Sequence, residues 1–155
     1  MAASATEVEA VSRRIRVAFQ RMKALGDRLH APDGVGTGMR AVMESLAEGA
    51  PQTVPAIARV KRVSRQHIQV LVNALVRARL VRIDANPADR RSPLVRLSRR
   101  GETVFRRMRR REAPVFAALA RDLAEQDLRA CLTALDALNA ALERKLEGGS
   151  DGSDP

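Results

Sequence analysis

Residues 63–101 read VSRQHIQVLVNALVRARLVRIDANPADRRSPLVRLSRRG, and two periodicities meet inside this stretch. In its first part Ile68, Leu71, Val72 and Leu75 recur at spacings of three and four, which marks a helix with one buried stripe. Ser64 stands where an N-cap is needed, so a helix is predicted over residues 65–79. At Leu80 the period changes to two. Leu80-Val81-Arg82-Ile83 and Leu94-Val95-Arg96-Leu97 alternate as half-buried strands do. The polar segment between them, residues 84–93, holds Pro87 and Pro93 and predicts a hairpin with Arg90 and Arg91 at its tip.

Upstream, Val54, Ile57 and Ala58 give the apolar face of a short helix over residues 53–61, with Thr53 as cap and Pro55 in its first turn. Two short helices joined by a tight turn form a helix-turn-helix, and the hairpin that follows makes a wing. A further helix over residues 37–48 buries Met39, Val42, Met43 and Leu46, and Thr37 is its expected cap. The first helix starts at Val8 and runs to about Leu29 with Val11, Ile15, Phe19 and Met22 on its face, before the breakers of Ala31-Pro32-Asp33-Gly34. Beyond the wing, Ser98 caps a long helix to about Arg121 that contains Pro114, where a kink or a break is expected. A last leucine-rich helix covers residues 125–146.

The predicted class is mainly α with a small β-hairpin wing, a winged helix-turn-helix with flanking dimerisation helices. Its expected divisions are a flexible N-terminus at 1–7, a dimerisation helix at 8–34, a DNA-binding lobe at 35–101, C-terminal dimerisation helices at 102–147 and a disordered tail at 148–155. The terminal helices carry apolar faces with little inside the lobe to cover them. Packing on the same helices of a second copy resolves this, and a monomer with a self-contained helical cap is the competing arrangement.

Charge is concentrated where the motif is. Residues 59–111 hold seventeen Arg or Lys against three acids, whereas residues 112–155 hold four basic and nine acidic side chains. A basic block in a folded segment points to a polyanion, in this motif double-stranded DNA. No run of eighteen apolar residues predicts a membrane span. One cysteine, Cys131, cannot form an internal disulfide, which suits a cytoplasmic setting, and its place among leucines predicts an inert core thiol. Two histidines without clustered ligands and no glycine-rich phosphate loop predict no enzyme, no metal and no cofactor.

These residues resemble the MarR family of transcriptional regulators. The resemblance rests on the run from Val63-Ser64-Arg65-Gln66 through Leu75, on Leu80-Val81, on Asn86-Pro87-Ala88-Asp89-Arg90-Arg91-Ser92, and on Leu97-Ser98-Arg99-Arg100-Gly101. It implies a two-fold dimer, recognition helices in adjacent major grooves of a palindromic operator, wings in the flanking minor grooves, and repression relieved by a small organic effector or an oxidant. An effector pocket would lie near His30, Met39, Arg40 and Met43. Three positions depart from the family pattern: Lys61-Arg62 replaces a Leu-Gly pair, Arg79 replaces a glycine, and Gly36 takes the place of a Thr or Ser cap. Glycine is preferred in such turns because a left-handed backbone costs other residues about 1 kcal/mol.

Within this frame Arg65, Gln66, His67 and Gln69 are the candidate base readers, since arginine pairs with guanine and glutamine with adenine in the major groove. His67 has three possible partners: a base, a phosphate or water. Of Arg90 and Arg91 one is expected in a minor groove, with Arg90 preferred, and the other against Asp89 to hold the shape of the wing. Thr53, Ser64, Arg59, Lys61, Arg62, Arg77, Arg82 and Arg96 are candidates for phosphate contact. Polar helix residues commonly do no more than face solvent, and the motif is what raises these above that. Two other functions fit the charge: an architectural DNA-coating protein with little sequence preference, and a helical module whose basic surface binds an acidic partner.

Overall fold

A computed structural model describes residues 3–148 of the chain. In order these form α1 (Ala5–His30), a 3-10 turn (Ala31–Asp33), α2 (Thr37–Ala47), β1 (Gln52–Thr53), α3 (Val54–Lys61), α4 (Arg65–Arg77), β2 (Val81–Asp84), β3 (Leu94–Leu97), α5 (Arg99–Arg121) and α6 (Glu125–Gly148). From residue 149 onward, the expected tail lies outside the described residues. The class is the predicted one, mainly helical with a small antiparallel wing.

Local chemistry accounts for most element ends. The N-terminal helix starts at Ala5, not Val8, so the segment expected to be flexible gives residues 5–7 to α1. A capping box is the reason: Ser4 accepts from the Glu7 amide while the Glu7 carboxylate accepts from the Ser4 amide at 2.8 Å. Thr53 and Ser64 cap α3 and α4 as expected, accepting from the Ala56 and His67 amides at 3.2 and 3.1 Å. The N-cap of α2 differs from expectation. It is Gly36, without a side chain, and Asp27 of α1 reaches across to accept from the Thr37 amide and hydroxyl at 2.9 and 2.7 Å. The Lys23 ammonium, joined by Thr37, holds the Asp27 carboxyl well below the usual carboxylate range. Pro114 neither breaks α5 nor ends it.

The chain divides between Glu112 and Ala113 into two compact units. In the first, Val42, Met43 and Leu46 of α2, Ile57 of α3, Ile68, Val72 and Leu75 of α4, and Val104, Phe105 and Met108 of α5 join one core. The front half of α5 therefore belongs to this core as fully as the helix-turn-helix does. Strand order is β1-β3-β2, with Val81 opposite Leu97 and Ile83 opposite Val95. β1 was not expected: two residues after Pro51 pair with Val95 and Leu94 of β3 and so complete a third strand. In the second unit, the end of α5 and α6 contribute no buried apolar side chain, and Phe116, Leu119, Leu132, Leu142 and Leu146 are exposed. Cys131, expected in a core, is exposed in this chain.

Two turns carry strain. Arg62 and Arg79 take left-handed φ of 53° and 58°, the two non-glycine residues with positive φ among those described. Arg62 ends α3 with its amide bonded to Ala58 and Arg59 carbonyls. Arg79 turns α4 into β2, and its carbonyl accepts from Ser98 Oγ at 2.8 Å. Beside it Gly101 presses so close to the Leu80 carbonyl that a Cβ would sit 1.9 Å from the oxygen.

A polar network joins α1, α2 and α5 inside this unit. Glu112, almost fully buried, accepts from Arg40 Nε and from Arg40 Nη2 at 2.8 Å, and lies 2.9 Å from Nε2 of the wholly buried His30. Arg40 also pairs with Glu44 and stacks over Phe105, its guanidinium carbon 5.8 Å from the ring centroid. Asp33, its side chain 1% exposed, accepts from Arg107 and from Arg111 at 2.5 Å. Burial by itself raises both acids, but the arginine hydrogen bonds and charges outweigh it and hold Glu112 and Asp33 below their ordinary values.

Four outcomes are expected in urea unfolding. Gly101→Ala costs about 3 kcal/mol, because the clash is with backbone and cannot be relieved by a rotamer. Arg79→Gly gains about 0.5–1 kcal/mol, the relief of left-handed strain less the added freedom of the unfolded chain. Since both acids have lowered folded pKa values, their contribution is complete above the ordinary carboxylate range. It falls as pH drops below about 4.5 toward the folded values. Glu112→Leu flattens that acid limb and costs about 3 kcal/mol at pH 7, part of which returns when Arg40→Met removes the stranded charge.

Candidate nucleic-acid interface

α4 owes its presentation to its own periodicity. Ile68, Val72 and Leu75 are buried, which turns the opposite face outward. With about 100° per residue and Ile68 taken as zero, Gln66, Asn73 and Arg77 fall at about 140–180°, on the outer face. Arg65 and Gln69 fall at about 60–100°, on the flank toward the wing, and His67 on the other flank. Arg65, Gln66, His67 and Gln69 are all exposed.

The flank toward the wing is where the two motifs meet. Arg65, Gln66 and Gln69 line a cleft of about 300 Å³ together with Arg91, Ser92 and Pro93 of the wing. Its apolar lining comes from Val54, Pro55, Val72, Ile83 and Val95. The structure thus brings three of the four sequence-chosen readers together with Arg91. Arg90 is exposed beyond this cleft, and the preference for Arg90 over Arg91 rests on the sequence alone.

Hydrogen bonds within the hairpin shape its tip. Asn86 donates to the Ser92 carbonyl at 2.8 Å and accepts from the Ala88 amide at 3.1 Å. Asp89 accepts from the Arg91 backbone amide at 2.9 Å, and its own carbonyl accepts from the Ser92 amide at 3.1 Å. The side-chain pairing expected between Asp89 and an arginine of the tip is replaced by this backbone cap. An Asx-type turn is compact enough to seat the carboxylate on the amide two residues on.

The backbone-contact candidates divide by environment. Ser64 and Thr53 use their hydroxyl oxygens as cap acceptors, which leaves each O–H free to donate outward. Arg59, Arg62 and Arg77 are exposed and Lys61 is partly so. Arg82 and Arg96 stand opposite each other across β2 and β3, an unfavourable like-charge pair in isolation. Asp84 offsets it, 2.5 Å from Arg96 and 3.8 Å from Arg82, so neither arginine presents its full charge to a ligand. Asn73 was not chosen from the sequence, yet its Oδ1 accepts from Gln69 Nε2 at 2.9 Å and fixes that amide. Its spacing of four from Gln69 was the available signal.

The proposed effector residues lie elsewhere, in and beside the polar network. His30 and Met43 are completely buried, Met39 packs against the core, and Arg40 is committed to Glu112 and Glu44. Among the described residues no group of three or more His, Cys, Asp or Glu is placed to hold a metal ion. No helix among them is long and apolar enough to cross a membrane.

No protein-family model matches the chain, and no curated protein sequence matches it. Solved structures do. A MarR family transcription regulator superposes with a TM-score of 0.73 at 24% identity, covering 96% of this chain and 97% of its own. A mutant MarR from E. coli complexed with operator DNA gives 0.78 at 19% identity, with 88% and 99% covered. The transcriptional repressor CouR bound to a 23-mer DNA duplex gives 0.74 at 20% identity, with 90% and 99% covered. Helix order, wing and flanking helices agree along nearly the whole chain, which therefore has the winged helix-turn-helix fold of MarR-family regulators.

Proposed function

We propose that this protein is a dimeric, sequence-specific DNA-binding regulator of the MarR family, a repressor whose operator is a palindrome and whose binding a small organic effector relieves. The observation that carries the reading is the shared cleft of α4 and the wing. A capped helix offers Arg65, Gln66 and Gln69 beside Arg91, inside a segment whose basic residues outnumber its acids seventeen to three. Two proteins of the same fold are seen on DNA, one on its operator and one, a repressor, on a duplex.

Dimerisation is supported by surface that the chain leaves uncovered. Val8, Val11, Phe19 and Met22 of α1 are exposed, as are Leu132, Leu142 and Leu146 of α6. Exposed apolar stripes of this extent mark interaction surfaces, and α6 has no buried residue of its own to justify its leucines. On this reading Cys131 and its neighbours are covered in the dimer. His30, Met39, Arg40 and Met43 surround the effector site that the family likeness suggests, which would then open by parting the Arg40–Glu112 contact.

Selection from randomised duplexes, followed by titration at about 0.15 M salt, tests the reading. The wild-type protein enriches a palindrome with half-site centres roughly 34 Å apart. Equal affinity for that site and for scrambled DNA would leave an architectural DNA-coating protein instead. Arg65→Ala relaxes choice at one base pair per half-site and weakens binding by about 1–3 kcal/mol. Arg90→Ala and Arg91→Ala weaken binding most on A/T-rich flanks and lower the salt slope by about one. Leu132→Asp with Leu142→Asp gives a monomer in sedimentation equilibrium and loses operator binding at concentrations where the wild type is saturated.

A further inference from the structure

The outer face of α4 contains one residue that neither the core nor solvation explains. Val70 is 58% exposed. It lies about 200° around the helix from the buried Ile68, so it projects from the middle of the face that points away from the protein. Its neighbours there are polar: Gln66 one turn before it, and Asn73 and Arg77 after it. β-branched residues are also weaker helix formers than the alanine, glutamine or arginine used at nearby positions. An exposed valine in this place costs helix propensity and gains no burial within the chain.

In a major groove such a group has one specific counterpart. Three of the four bases present only donors and acceptors along that edge, whereas thymine also presents a C5-methyl group, and apolar side chains read it by contact. Gln66 and Gln69 bring amides to the wing side of Val70, where the Gln69 amide is fixed by Asn73 at 2.9 Å, and His67 lies on its other side. The helix therefore sets a methyl-sized apolar contact between hydrogen-bonding readers. The exposed valines of the first helix of the motif and of its turn, Val60 and Val63, do not share this face of α4.

We infer that Val70 is a specificity-determining residue that reads the C5-methyl of a thymine in each half-site. The inference rests on the regulator reading above, and it assigns a base to a position outside the candidate readers Arg65, Gln66, His67 and Gln69. Because the contact is to a single methyl group, the base can be tested by removing only that group.

The experiment takes the duplex selected by the full-length wild-type protein, replaces each thymine in turn with uracil, and titrates it with wild-type protein and with Val70→Ala. Alanine is the better helix former and the site is exposed, so the variant retains its fold, which circular dichroism and the urea midpoint check. The expected result is one position per half-site where uracil weakens wild-type binding about fourfold, the effect of one buried methyl. There it weakens Val70→Ala by less than twofold, and a second selection with the variant loses the preference for thymine at that position. No uracil penalty at any position, or equal penalties for both proteins, overturns the inference and leaves the regulator reading intact. Failure of the wild-type protein to enrich any sequence overturns both.

Discussion

The carbonyl group of Leu80 is the joint on which the winged helix-turn-helix is built. It accepts from the Ser98 amide at 3.0 Å, while Ser98 Oγ donates to the Arg79 carbonyl and accepts from the Gly101 amide at 2.9 Å. Gly101 lets α5 approach this oxygen more closely than any side chain would permit. The end of α4, both strands of the wing and the start of α5 are thus pinned within one residue of each other. With the base of the wing fixed, the distance of its tip from α4 is set by four-residue strands and by the Asn86 and Asp89 bonds. The cleft between Arg91 and Arg65 inherits its width from this junction.

The strain at Arg62 and Arg79 is understandable in the same terms. Each stands where the chain reverses direction tightly, one at the turn of the helix-turn-helix and one at the entry to the wing. A left-handed residue closes such a turn with the fewest atoms, and the hydrogen bonds on either side over-determine it. Using arginine rather than glycine forfeits stability locally and adds positive charge beside the helix-turn-helix and the wing. The core behind them, with Ile57, Ile68, Leu75 and Leu80 almost wholly buried, has enough cohesion to hold both turns.

On the other side of the core, electrostatics replaces apolar packing. Asp33 between Arg107 and Arg111, and Glu112 between Arg40 and His30, tie α5 to α1 and α2. Paired buried charges add little net stability over an apolar equivalent, but they are intolerant of displacement, because parting them strands a charge. Such contacts make this side of the core sensitive to small changes of packing. They also explain how an arginine-rich helix can be partly internal: several of its charges are consumed within the protein rather than offered to a ligand.

The sequence by itself determined every major helix, both wing strands and the caps at Ser64 and Thr53, because these depend on side-chain period and on bonds within three or four residues. The family resemblance, rather than any local pattern, marked Arg62 and Arg79 as standing where related sequences place glycine, and both take a left-handed φ. What the sequence missed depends on groups distant along the chain. β1 exists only because β3 is alongside it, and the cap of α2 comes from Asp27, ten residues upstream. The Arg40–Glu112 contact spans seventy-two residues, and nothing in the spacing of either partner announces it. For the site, residue types and helix faces were legible, whereas the grouping of Arg65, Gln66 and Gln69 with Arg91 was not. That grouping follows from the angle between two elements, which only the packed core and the Leu80 junction decide.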